Sequence, residues 1–315
     1  MAVTYLVDDL LTGAKVRANH PDLGGRPIDS EILRMANGAL LGVMTGRLME
    51  AVQGELGAEL IVPMVIGQSR YPLPSRAAGP KLRYLVLADA KNNRYSVTVA
   101  SAERFVSQNP GTGGGGVPPS GAYLEGNNVV LIPTPTASGF SLIMGFYQRP
   151  SQMVLTSTCD QVASTPAADT ITLAASTTHT GTSVLDVVQG RPHFQVWQQD
   201  LSCTLATTTA TFSAGSLVNR AFIQAGDWVC QANTTCVVPL PVEIQPLLEV
   251  RTAMSILRSK NDQSGLLNAL KDEAAEMESQ LYTYMSNRME GNTETLGGNP
   301  LLDSSGTSGY GTSRF

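Results

Sequence analysis

The chain has 315 residues, of which 42% are apolar and 15% charged, and its net charge is −5. That length allows one large domain or two modest ones, with enough apolar side chains for a core. The negative balance excludes a nucleic-acid binder that works by neutralising phosphates. Charge this sparse, against about a quarter in ordinary domains, predicts a surface partly covered by other subunits.

Val3, Leu6, Val7, Leu10 and Ala14 fall at helical spacing and predict a helix over 3–18, ended by Asn19 to Pro21 and by Gly24 and Gly25. A second helix, over 28–53, follows Pro27 with Asp29 or Ser30 as its cap. Its apolar stripe runs through Ile28, Ile32, Met35, Ala39 and Val43. Gly38, Gly42 and Gly46 recur every four residues along it. Each costs roughly 1 kcal/mol of helix stability against alanine. Three at this spacing predict a face against which another backbone packs closely, and they are the candidates for subunit packing.

From Glu59 the period changes to that of strands, which predicts a β region over 58–150. Leu60 to Ile66 reads as a strand, and Lys81 to Ala88 with Arg94 to Val99 reads as a hairpin across Lys91 to Asn93. Ser101 to Gln108 reads as a short helix, and Asn109 to Ser120 as an irregular loop. Further strands are expected at 122–124, 128–132 and 140–148. Residues 151–240 hold sixteen threonines and only seven charged groups. Short β-branched runs at 170–173, 184–188, 194–198, 209–213 and 228–231 predict a small sandwich or barrel.

Helix returns over 242–259, near Pro241 or Pro246, with a stripe of Leu247, Val250, Met254 and Leu257. A last helix over 265–288 carries Leu266, Leu270, Ala274, Met277, Leu281 and Met285. The two are expected to seat against the N-terminal pair as a bundle. Residues 291–315 lack any periodic apolar pattern, and their composition is that of a segment disordered in isolation. Such a segment orders only on a partner, so Tyr310, Arg314 and Phe315 are the candidate docking residues of an extended C-terminal tail.

Residues 61–150 carry eight basic groups against three acidic, whereas 151–240 carry two against five. The basic stretch predicts an interface with an acidic partner surface, with a phosphate-facing patch as the alternative. Cys159, Cys203, Cys230 and Cys236 show no Cys-x-x-Cys and no paired histidine, so their spacing predicts no metal site. Gly111 to Gly116 satisfies the dinucleotide pattern only formally, because prolines rather than a strand and a helix flank it. His20, His179 and His193 are scattered, and no nucleophile elbow occurs. Asp272, Glu273 and Glu276 read as a solvated helix face. No catalytic, cofactor or metal residue is therefore named, and the expectation is that this is not an enzyme. The N-terminus has no signal-peptide pattern and no run approaches ~18 apolar residues, so synthesis in the cytoplasm, reduced thiols and no membrane partner are expected.

Several pieces fall in a characteristic order. They are the opening helix, Ile32 to Leu40, Gln68 to Pro74, Gly121 to Gly126, Val130 to Pro135, Phe146 to Pro150, and Gly226 to Trp228 leading through Pro239 to Pro241 into the final helices. Together they resemble the head-to-tail adaptor (connector, or head-completion) proteins of tailed bacteriophages. The resemblance covers 1–155 and 226–290, with the Thr-rich module at 156–225 as a departure from the shorter pattern. It implies an α+β fold in three parts. These are an adaptor core of 1–155 plus 226–290 (a helical bundle from both chain ends with a small β-sheet region), an inserted sandwich or barrel-like module at 156–225, and the tail at 291–315. It implies a homo-oligomeric ring of twelve copies in the virion neck. The ring's partners would be the portal protein above, a nozzle, terminator or tail tube below, and genomic double-stranded DNA that passes through without specific binding. No cofactor is implied. The Thr-rich module also admits a tail or adhesion protein that binds a receptor glycan.

Overall fold

The structure is a computed structural model that describes residues 6–20, 28–46, 57–103, 118–175, 177, 181–190, 196–260 and 265–286. It mixes α and β, with helices at both ends of the chain and several sheets between them.

Helix α1 (Val7–Arg17) turns Val7, Leu10, Leu11 and Ala14 inward. Asp9 accepts the Leu6 N–H at 3.3 Å, which satisfies one orphan donor of the first turn. Acidic Asp8 and Asp9 at its start and basic Lys15 and Arg17 at its end complement the helix dipole. Helix α2 (Asp29–Gly38) starts one residue beyond its N-cap Ile28, and Glu31 reaches back to the Ile28 N–H at 3.2 Å. The expected caps Asp29 and Ser30 are thus already inside the helix. The ladder then widens into a π-helical turn, Ala39–Met44, where the Thr45 hydroxyl donates to the Leu40 carbonyl at 2.8 Å. The inward line is Ile32, Ala36, Leu40 and Met44, while Met35 and Ala39 of the expected stripe are only half-buried beside it. Ile28, expected on that stripe, is exposed because it caps the helix rather than joining it.

Helix α3 (Gln245–Ser259) begins three residues later than expected, after turns at 242–244, with Pro246 in its first turn. It packs against α1, α2 and α4 (Leu266–Ser286). Its expected stripe of Leu247, Val250, Met254 and Leu257 is buried, as are Leu270 and Ala274 of α4. Side chains from both chain ends therefore share one core cluster, joined by Met153, Val238 and Leu240. Arg17 of α1 bridges Glu249 of α3 and Glu273 of α4 at 2.6 Å each, so Glu273 belongs to an ion pair as well as to a wet face.

Two four-stranded sheets follow. One has the order β1 (Gly57–Pro63), β8 (Ser141–Gln148), β3 (Ala77–Ala88), β4 (Arg94–Ser96). The other has the order β2 (Arg70–Pro72), β7 (Asn128–Ile132), β6 (Gly121–Glu125), β5 (Thr98–Val99). Leu85, Leu87, Leu142 and Met144 of the first share a core with Tyr71, Ala122, Val129 and Leu131 of the second. The chain crosses between sheets at buried Val97. The β3–β4 hairpin is held by Asp89, whose carboxylate accepts the Lys91 and Asn93 N–H groups at 2.8 and 2.9 Å. The hydrogen bonds from Asn93 hold the Asp89 carboxyl below its ordinary range. Of the expected helix at 101–108, Ser101, Ala102 and Glu103 lie among the described residues, and only the last two are helical.

The Thr-rich stretch forms a six-stranded curled sheet. Its order is β10 (Asp160–Gln161), β15 (Trp228–Gln231), β12 (Gly181–Val188), β13 (Val196–Ala206), β14 (Thr209–Phe212), β11 (Thr170–Thr172). Its two ends meet, since Val162 bridges Leu173, Ala163 N–H bonds Thr172 O and Ala174 N–H bonds Gln161 O, both at 2.8 Å. Ile171, Leu185, Val187, Leu205, Phe212 and Val229 fill the interior. Strand β13 outruns its expected end at 198 by turning through Asp200, which has φ +54°, in a bulge against β12. Two short parallel strands, β9 (Gln152–Met153) and β16 (Thr234–Thr235), tie this unit to the helices.

Candidate functional site

Gly38, Gly42 and Gly46 lie exposed on α2 and its extension, and no atom of the described chain stands within 4 Å of a Cβ built on any of them. Among the helical glycines of the described residues, the one crowded by a neighbouring element is Gly13 of α1. A Cβ there would lie 2.5 Å from the carboxylate carbon of Glu249, the partner of Arg17. Tyr310, Arg314 and Phe315 lie outside the described residues, as do the Gly111 to Gly116 loop, His179 and His193. His20 Nδ1 meets Lys260 Nζ at 2.9 Å, where α1 ends beside α3.

The pieces that carry the resemblance come together in two places. Ile32 to Leu40 faces the strand that follows the Phe146 to Pro150 piece. There Asn37, buried on α2, donates to the Met153 carbonyl at 2.9 Å and accepts the Met153 N–H at 2.8 Å. The Gln68 to Pro74, Gly121 to Gly126 and Val130 to Pro135 pieces are neighbours in one sheet, with Tyr71 opposite Val129 and Ala122 opposite Leu131. The buried Tyr71 hydroxyl accepts the Val65 N–H at 2.9 Å. The prolines sit at strand ends, where a missing donor costs nothing.

The turn after Pro74 places Arg76 between the sandwich formed by the two four-stranded sheets and the curled sheet. Arg76 is 6% exposed and Asp186, its bidentate partner at 2.7 and 2.9 Å, is 0% exposed. Its remaining edge meets Asp200 at 2.6 and 3.0 Å. Asp186 also accepts the N–H groups of Asp200 and Asn233, each at 2.9 Å, so its four hydrogen bonds satisfy a carboxylate that water does not reach. Burial opposes the charge on Arg76, but the bonds and attraction from the two carboxylates outweigh it and raise its pKa. Arg76 of the 61–150 stretch therefore spends its charge inside the chain rather than on a partner surface. Above the clamp opens a cavity of about 450 Å³ lined by Glu59, Arg76, Phe146, Gln148, Trp197 and Asp200, among others. Glu59 there accepts the Tyr84 hydroxyl, which raises the Tyr84 pKa.

A second joint forms at Gly226 to Trp228. Asp227 accepts the N–H groups of Gly190 at 3.0 Å and Gln224 at 2.8 Å and the Trp197 indole N–H at 3.1 Å. Gly190 leaves no room for a side chain, since a Cβ there would lie 2.0 Å from the Gly226 carbonyl oxygen. Trp197 stacks on Phe222 with centroids 5.5 Å apart.

Three of the four cysteines converge beside this joint. The Sγ atoms of Cys159, Cys230 and Cys236 all lie within 4.8 Å of one another, and all three residues are buried. Burial pushes the Cys230 thiol up, and hydrogen bonding with Cys159 does the same to Cys236. Sequence spacing missed the group because Cys159 arrives from 71 positions before Cys230. Cys203 stands apart inside the curled sheet.

Large apolar side chains remain exposed on the sandwich, where β1 is an edge strand. Ile61 is 60% exposed, and Val65 and Ile66 just beyond the strand are 51% and 58% exposed. No helix among the described residues is long and apolar enough to cross a membrane. The sequence matches no protein-family model and no curated protein.

Proposed function

We propose that this chain is a structural protein of the tailed-phage virion, a head-to-tail adaptor that assembles as a ring of twelve copies beneath the portal. The four helices of the described residues act as a bundle, the ring extends the DNA channel, and its lower face receives the next tail component. The observation that carries this reading beside the sequence resemblance is the open edge of β1. Among the described residues β1 pairs only with β8, leaving its other backbone edge available along an apolar face. Natural edges are usually blunted by charge or cover. Here the one charged side chain of the strand, Glu59, is engaged by Tyr84. The exposed face of Gly38, Gly42 and Gly46 offers a second place where a neighbour's backbone can come close. A stable contact of this kind buries on the order of 1,000 Å² or more.

Particle mass and negative-stain symmetry test the assembly. The wild-type chain is expected to form rings, with or without portal protein. Ile61→Lys, a change at an exposed position worth no more than about 0.5 kcal/mol to the monomer fold, is expected to leave single chains with unchanged thermal unfolding. Rings that persist in Ile61→Lys would remove β1 from the interface, and a monomeric wild type at every concentration would overturn the adaptor reading. Deleting residues 291–315 is expected to weaken docking without dispersing the ring. Unchanged co-sedimentation of that truncation with portal rings would refute a docking role for the tail.

A further inference from the structure

We propose that Cys159, Cys230 and Cys236 form a binding site for a single thiophilic d10 cation, of the zinc and cadmium class. Three thiol sulfurs from separate segments converge on one point, mutually within 4.8 Å, and the Cys230 and Cys236 sulfurs are 3.9 Å apart. Thiolates about 2.3 Å from a zinc ion stand about 3.8 Å apart in a tetrahedral set. The sulfurs already meet that spacing on one side and need only close slightly on the others. No His, Asp or Glu side chain among the described residues joins the three sulfurs. An all-sulfur set selects soft cations over magnesium, calcium or manganese.

The surroundings suit a structural site. Val188, Val237, Leu6, Val154 and Trp228 pack around the sulfurs and exclude water. The Val7 N–H, which opens α1, bonds the Cys236 carbonyl at 2.9 Å, and Leu6 bridges Val237. Cys159 leads into β10 and Cys230 lies in β15, both strands of the curled sheet, while Cys236 leads through Val237 and Val238 towards α3. A cation there fastens the helices to the curled sheet at a single point.

Coordination replaces each S–H bond with a metal–sulfur bond and delivers the proton to the buffer. A divalent ion on three thiolates releases three protons and leaves one net negative charge. Affinity therefore rises with pH. The softer cadmium, whose bond to sulfur is more covalent, holds better than zinc.

The test uses the full chain, purified reduced and metal-free, titrated with Cd2+ and then with Zn2+. The expected result is an ultraviolet thiolate-to-cadmium band that saturates at one ion per chain and is reversed by excess zinc. X-ray absorption of the wild-type cadmium form should count three sulfur neighbours. Cys203→Ala should titrate as wild type, whereas Cys159→Ser, Cys230→Ser and Cys236→Ser should each weaken binding at least about tenfold. Circular dichroism identifies any variant that has lost its fold, and the sulfur count on wild-type protein stands independently of the variants. Absence of the band at one equivalent overturns the site. So does a first shell of oxygen and nitrogen, or a Cys230–Cys236 disulfide in protein isolated from cells with its thiols trapped.

Discussion

Arg76→Ala is expected to destabilise the chain by about 3–5 kcal/mol, the cost of removing one partner from a buried ion pair. The loss comes less from the missing attraction than from Asp186, which stays at 0% exposure with a charge that neither water nor a cation then compensates. For a chain of 315 residues the melting temperature should fall by about 5–8 °C. Asp200→Asn should cost far less, because that carboxylate is half exposed and water can replace the guanidinium. In the double variant Arg76→Met with Asp186→Asn, a good part of the loss should return, since the orphaned charge is gone. Chemical denaturation of the four proteins measures the effect. A loss below 1 kcal/mol for Arg76→Ala, or no recovery in the double variant, would show that the clamp does not hold the sandwich to the curled sheet.

Asp227→Ala should rank next, at on the order of 4 kcal/mol. It removes one carboxylate that serves three donors, from Gly190, Gln224 and Trp197, and a hydrogen bond to a charged group contributes about 1.5–3 kcal/mol. Released from Asp227, the Trp197 indole should also lose its fixed stack on Phe222, so tryptophan fluorescence should shift to the red before global unfolding. Gly190→Ala probes the same joint from the other side and should cost about 3 kcal/mol. The obstacle at 2.0 Å is a backbone oxygen that cannot rotate away. The two changes strike one joint, so their combined effect should fall short of the sum. Wild-type fluorescence in Asp227→Ala, together with wild-type stability, would sink this account.

Helix positions were legible because burial on a helix follows a period set by backbone geometry. The stripe of Leu247, Val250, Met254 and Leu257 is buried as the spacing demands. The short β-branched runs of the Thr-rich stretch became strands close to their expected bounds, with β13 the exception. Its extension depends on Asp200 adopting φ +54° beneath Arg76, a residue 124 positions away. The glycines show the limit most plainly. A spacing of four puts Gly38, Gly42 and Gly46 on one face, but spacing cannot say what lies opposite. Within the described chain nothing lies opposite them, and the crowded glycines are Gly13, Gly145 and Gly190.

The amino-acid order by itself determined the sequence of elements, the helical faces that pair the two chain ends, and the β character of the Thr-rich stretch. Each of these follows from local periodicity and from side-chain shape acting on its own backbone. Tertiary structure alone decided which distant groups meet: Arg76 with Asp186 and Asp200, Asp227 with Gly190 and Trp197, and the three thiols at one point. Those meetings depend on how strands curl and cross over separations that reach 124 residues. No local pattern encodes them, because the energy that favours each one exists only after the partner segments have been brought together.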